Sequence, residues 1–153
     1  MSEMDNAILR ILDRLLGQLI QSTWQDFNSN IGIGAEPLNF SGVHTLGAPR
    51  LVPYLDRPGV FLVFGPLPEV SVLHLGASKT AMRSKLNSAL IPGPDWSWGW
   101  RWNAESNPLP TFAACVTMDE HWSLIPALKT QLAQYLAPLQ SVRRGRGEES
   151  AFV

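Results

Sequence analysis

Near the start of the chain, hydrophobic residues recur at spacings of three and four, which predicts a long amphipathic helix over residues 5–27. Ser2 and Asp5 are the candidate N-caps of this helix. The stripe is expected to pack on the chain's own core, and the alternative is a partner-binding helix. Its members are Ile8, Ile11, Leu12, Leu15, Leu16, Leu19, Ile20, Trp24 and Phe27.

Residues 28–58 are rich in Asn, Gly and Pro, which predicts loops with short extended pieces such as VHTL and RLVPYL, and an edge strand. A hairpin follows. Residues 60–64 are apolar on both faces, as a buried strand requires, and after the GPLPE turn residues 70–75 form the returning strand.

After Gly76 the apolar period changes to about 3.6, which predicts a helix that starts near Ser78 or Thr80 and ends before Pro92. The segment TFAACVTM predicts a third strand, and residues 119–137 predict a last helix. We therefore expect an N-terminal helix with connecting loops over 1–57, an α/β domain over 58–141, and a flexible tail over 142–153.

Four tryptophans alternate with other residues in the segment DWSWGWRWN, so an extended chain would place all four on one face. Such a ladder can stack nucleic-acid bases, form a protein-binding hot spot, or cover the chain's own sheet. The four are Trp96, Trp98, Trp100 and Trp102.

The composition narrows the classes of function. With 153 residues and a net charge of -1, the chain fits one domain and has no global excess of positive charge for nucleic acid, so only a local basic patch can serve that purpose. Cys115 is the only cysteine, which excludes an internal disulfide and a multi-cysteine metal site. The acidic start and the charges within the first apolar stretch argue against a signal peptide or a membrane span. We expect a cytoplasmic protein without a membrane partner.

The order of hairpin, helix, strand and helix, with the motifs GVF and HLG on the two strands and SKTAMRSKL after them, resembles the GIY-YIG nuclease superfamily. The last helix, ALKTQLAQYLAPLQS, is similar to the closing pattern of that family. The resemblance covers residues 58–141. It implies a small mixed or antiparallel three-stranded sheet flanked by helices, here preceded by the long N-terminal helix.

The resemblance also implies a chemistry, in which a glutamate binds one divalent cation, an arginine stabilises the phosphate, and two tyrosines position or deprotonate water. This chain departs from that pattern. Phe61 replaces the first tyrosine, and His74 replaces the second and is the candidate base. Arg83, or alternatively Lys85, matches the arginine, while Lys129 occupies the glutamate position. A lysine there repels the cation that a carboxylate would hold.

No bound metal or cofactor is therefore expected, and Mg²⁺ or Mn²⁺ would be needed only if the protein is active. Asp119 and Glu120 are the nearest carboxylates on the predicted helix, but Lys129 lies about nine residues, or roughly 13 Å, further along it. The alternative is that Glu120 or another carboxylate replaces the missing metal ligand.

The sequence thus predicts a degenerate, noncatalytic nuclease-like module that binds nucleic acid or a protein partner within a larger assembly. One alternative is an active DNA endonuclease with His74 as base and Arg83 on the phosphate, and another is a structural interaction subunit. The tryptophans are the candidate partner surface. The candidate nucleic-acid contacts are Lys79, Arg83, Lys85, Arg101 and Lys129.

Overall fold

The structure, a computed structural model, has a mixed α/β fold. It describes residues 2–31, 38–90 and 109–144, and their side chains except those of residues 27, 28, 30, 31 and 137–144. The helices are α1 (Glu3–Ile31), α2 (Val52–Leu55), α3 (Met82–Ala89) and α4 (Ile125–Arg144). The strands are β1 (Asn39–Phe40), β2 (His44–Thr45), β3 (Gly59–Phe64), β4 (Val72–Ser78) and β5 (Phe112–Thr117).

The long N-terminal helix is confirmed and extends beyond its predicted bounds. Ser2 caps it, because the backbone N–H of Asp5 donates to Ser2 Oγ at 3.1 Å and the Asp5 carboxylate accepts from the Ser2 nitrogen at 3.4 Å. Packing on the core is confirmed for only part of the apolar stripe. The side of α1 that includes Trp24 is buried, whereas Ile11 and Leu15 are exposed.

The sheet is antiparallel throughout, with strand order β1, β5, β3, β4, and β2 also pairs with β5. The predicted hairpin and third strand are confirmed, but the prediction of three strands is too low by two. The extended piece predicted at VHTL forms β2, and the edge strand predicted within residues 28–58 is confirmed, because β1 and β2 both pair with β5 at the edge of the described sheet. β1 is only two residues long, so the sequence did not locate it individually. β1 and β2 extend the sheet on the far side of β5.

Three element boundaries differ from the sequence prediction. The segment RLVPYL, predicted to be extended, forms a 3₁₀ helix over Pro49–Leu51 followed by α2, and each has a proline in its first turn. β4 continues to Ser78, so α3 begins only at Met82. α4 begins at Ile125, after a 3₁₀ helix, and continues to Arg144, three residues into the segment predicted to be flexible.

The sheet has a hydrophobic core on each face. Alternate residues of β3 point to opposite sides: Val60, Leu62 and Phe64 join the core under α1 and α4, while Phe61 and Val63 join the core under α3. Both α3 and α4 pack against β4, which is the last strand on its side of the described sheet. Side chains from two helices on opposite faces therefore meet at this strand.

Candidate functional site

His74, the candidate base, lies in β4 opposite Val63 and is only 7% exposed. Its ring centroid is 5.7 Å from that of Phe61. Burial, and then the positive charge of Lys129, lower the pKa of His74 from 6.5 to about 4. The imidazole is therefore neutral near pH 7 and is largely shielded from bulk water.

Phe61 is fully buried in β3 and pairs with Gly76 of β4. A Cβ atom added to Gly76 would lie 2.3 Å from Cζ of the Phe61 ring, so the ring occupies the space that any other residue at position 76 would need. The motifs GVF and HLG are thus joined by packing. Phe61 offers no hydroxyl with which to orient water.

Lys129 of α4 and Lys85 of α3 are close enough for their charges to interact. Lys129 is partly buried, and its pKa is lowered first by that burial and then by the charge of Lys85. Within the described residues, neither lysine forms an ion pair with a carboxylate. We call His74, Lys85 and Lys129 the β4 edge site. Its two ammonium groups repel each other, and a bound anion would relieve that repulsion.

Arg83, the candidate phosphate ligand, is engaged elsewhere. Its Nε donates to Asp56 Oδ1 at 2.9 Å, and both side chains are largely exposed. The pairing raises the pKa of Arg83 and lowers that of Asp56. Asp56 was not identified from the sequence, because it lies in a turn 27 residues before Arg83 and no local pattern joins the two. Lys79 is exposed in the turn between β4 and α3.

The carboxylates considered as replacement metal ligands lie towards the other end of the sheet. Thr117, two residues before Asp119, pairs with Gly59, whereas His74 pairs with Val63, four residues or about 13 Å along β3. Asp119 also pairs with Arg57, at 3.2 Å. In the described part of the chain, no three His, Cys, Asp or Glu side chains are grouped so that they could hold a metal ion.

Several other candidate residues lie outside the part of the chain that the structure describes. Arg101 and the four tryptophans at positions 96, 98, 100 and 102 lie outside the described residues, so their roles stay predictions. Of the remaining candidates, His74 lies next to Phe61. The charge of Lys129 lowers the pKa of His74, and the charge of Lys85 lowers the pKa of Lys129.

No family model, curated protein or solved structure matches this chain. None of the helices in the described residues combines the length and the hydrophobicity needed to cross a bilayer. Function is therefore inferred from the residues and geometry of the β4 edge site.

Proposed function

We propose that this protein is a noncatalytic module that binds nucleic acid, as part of a larger assembly, through phosphate contacts at the β4 edge site. The observation that supports this most is the proximity of Lys85 and Lys129 without a carboxylate partner among the described residues. A phosphate beside them would replace mutual repulsion with attraction to both groups. Lys79 and Arg83 on the α3 side would extend the contact along the backbone.

The absence of catalysis in this proposal rests on three side chains. Lys129 stands where the resemblance implies a metal-binding glutamate, so its charge opposes a divalent cation. Phe61 lacks the hydroxyl of the implied tyrosine, and burial of His74 restricts the approach of an attacking water. Each change removes a different requirement of phosphodiester hydrolysis, so restoring one of them alone would leave the others missing.

The expected binding is local and sensitive to salt. The chain as a whole has a net charge of -1, so attraction must come from the few cations near β4. Contacts of two or three phosphates would give a slope of log K against log salt of about -2 to -3 on duplex DNA. Binding is therefore expected to be weak at physiological salt without further contacts.

The proposal is tested by fluorescence anisotropy with labelled DNA and RNA, single- and double-stranded, at a low and a near-physiological salt concentration. Lys85→Ala and Lys129→Ala should each weaken binding and reduce the salt slope by about one. Arg50→Ala is the control, because Arg50 is exposed in the 3₁₀ helix that follows β2, and β2 pairs with β5, two strands away from β4. Lysine variants that bind like the unchanged protein would exclude the β4 edge site.

A second binding experiment tests whether Arg83 of α3 contributes to nucleic-acid binding. Asp56→Asn should release Arg83 from its ion pair and strengthen binding at low salt. The exposed Asp26 in α1 supplies a control, because Asp26→Asn makes the same change in net charge without freeing an arginine at α3. Equal effects of the two variants would mean that only the net charge matters.

A plasmid-cleavage assay with Mg²⁺ or Mn²⁺ separates the proposal from an active endonuclease. We expect no cleavage. Metal-dependent cleavage that Arg83→Ala abolishes would overturn the noncatalytic function. A failure to bind any nucleic acid, together with stable co-purification of a protein partner, would instead indicate a structural interaction subunit.

A further inference from the structure

α1 has an apolar face that the other described residues leave exposed. Met4 is 73% exposed, Ile11 53% and Leu15 57%. Their spacings of seven and four residues place them on one side of the helix, in a line about 16 Å long. Single exposed hydrophobic residues are ordinary, but an aligned set on one helix is typical of a contact surface.

Ile8 completes the pattern. It lies between Met4 and Ile11 and is only partly buried against the core. With Ile8 included, the successive spacings are four, three and four, which is the seam of a short two-helix coiled coil. The same helix thus packs one side on its own sheet and presents a second, narrower seam to solvent.

Charges beside this seam are arranged with a direction. Glu3 stands at its beginning, and Arg10 and Arg14 follow on the same flank of the helix; all three are exposed. In a parallel pair of helices the equivalent flanks lie on opposite sides of the pair, so Glu3 and Arg14 of the two copies would not meet. A helix running in the opposite direction would place Glu3 near Arg14 in two symmetric contacts, and Arg10 near its own equivalent in one.

We propose that this face of α1 binds a second copy of the chain, with the two helices antiparallel. In this arrangement Met4 packs near Leu15 of the second copy, and Ile8 packs near Ile11 of the second copy. Glu3 then approaches Arg14 of the second copy, and the two-fold symmetry repeats every contact.

The association is expected to be weak, since four side chains from each copy make an interface below the usual size of a stable complex. A dissociation constant between about 10 µM and 1 mM fits such a contact. Local concentration on a shared nucleic-acid or protein platform would raise the occupancy of the dimer.

Sedimentation equilibrium of the full chain over about 10 µM to 1 mM tests the proposal. We expect a monomer–dimer equilibrium that Leu15→Asp shifts at least tenfold towards monomer. Gln21→Asp is the matched control, because Gln21 is exposed on α1 beyond the paired segment, and it should leave the equilibrium unchanged. A chain that stays monomeric at the highest concentration would overturn the proposal.

Charge exchange tests the direction of the helices without altering the apolar seam. Glu3→Arg and Arg14→Glu should each weaken the dimer by about three- to tenfold, because each creates two like-charge contacts. The double variant should recover the original affinity. Recovery is specific to the antiparallel arrangement, so a double variant that dimerises no better than the single variants would contradict it.

Discussion

Gly76 lies directly against the ring of Phe61, so closely that a Cβ atom on Gly76 would be 2.3 Å from Cζ of Phe61. The two residues are partners across β3 and β4. Because position 76 has no side chain, Phe61 can fill the core under α3 and place its ring next to His74. This contact packs together the two strands that carry the motifs GVF and HLG.

Replacement of Gly76 by alanine should destabilise the protein by about 2 kcal/mol or more, since the added methyl group overlaps an aromatic ring in a close-packed core. Chemical denaturation with urea measures the change in the free energy of unfolding. A Gly76→Ala protein as stable as the unchanged one would show that the ring of Phe61 moves aside easily.

Gly17→Ala is a control of the same chemical type with the opposite expected sign. A Cβ atom at Gly17 would be 3.9 Å from the Phe40 ring, which is an ordinary contact. Alanine is the better helix former inside α1, so the variant should gain about 0.5 to 1 kcal/mol.

The lowered pKa of His74 predicts a loss of stability in mild acid. The unfolded ring binds a proton near pH 6.5, whereas the native ring binds it only near pH 4. Between these values the unfolded state holds more protons, so the free energy of unfolding should fall as the pH drops, by up to about 3 kcal/mol. Above pH 6.5 this contribution to stability is fully present.

Urea denaturation of the unchanged protein and of His74→Gln, across this pH range, measures that contribution. The variant should lack the part of the acid-dependent loss that comes from His74. His44→Gln retains His74 and should keep that part. If His74→Gln and the unchanged protein lose the same stability between pH 6.5 and 4, His74 does not lie in a site that disfavours its charge.

Substitutions at Lys129 should change the pKa of His74, because the lysine charge is one of its two causes. Lys129→Gln removes a positive charge and should raise that pKa, and Lys129→Glu adds a negative charge and should raise it further. Titration of the His74 ring by NMR gives the order directly. An unchanged pKa in both variants would place Lys129 too far from β4 to belong to the β4 edge site.

Lys129→Glu also tests whether this position corresponds to the metal-binding glutamate of the resemblance. With the repulsion of Lys129 removed, Mn²⁺ affinity should increase relative to the Lys129→Gln control. Equal Mn²⁺ binding by the two variants would argue against the match between α4 and the closing helix of that family.

Cys115 should be unreactive in the native protein. It is buried in β5, as the apolar run FAACV predicts, and burial raises the pKa of its thiol to about 12. A thiol reagent at pH 8 should therefore label it only after denaturation, when the single cysteine of the chain becomes accessible. Rapid labelling under native conditions would contradict the burial of β5.

The sequence predicted best those elements whose hydrophobic pattern is strong over their whole length. β3 and β5 are continuous apolar runs, and both are buried on each face. Among the short pieces before β3 it predicted the extended VHTL, where β2 forms, but it did not locate β1 and wrongly predicted RLVPYL to be extended. A two-residue strand is stabilised by its pairing with β5 and has no pattern of its own.

The candidate site shows the same division. That Phe61 and His74 lie on paired strands followed from their places in the hairpin, but the ion pair that holds Arg83 to Asp56 did not. Exposed charged residues form ion pairs with residues from other turns and elements, and no periodic pattern in the sequence indicates which residues pair.

The sequence by itself determined the apolar runs, the hairpin and the presence of Lys129 in the last helix. Only the tertiary structure decided that the charge of Lys129 acts on His74 and that of Lys85 on Lys129, and that Ile11 and Leu15 stay exposed. The physical reason is that local periodicity encodes which face of an element is apolar, whereas long-range packing decides which part of that face is covered and which charges meet.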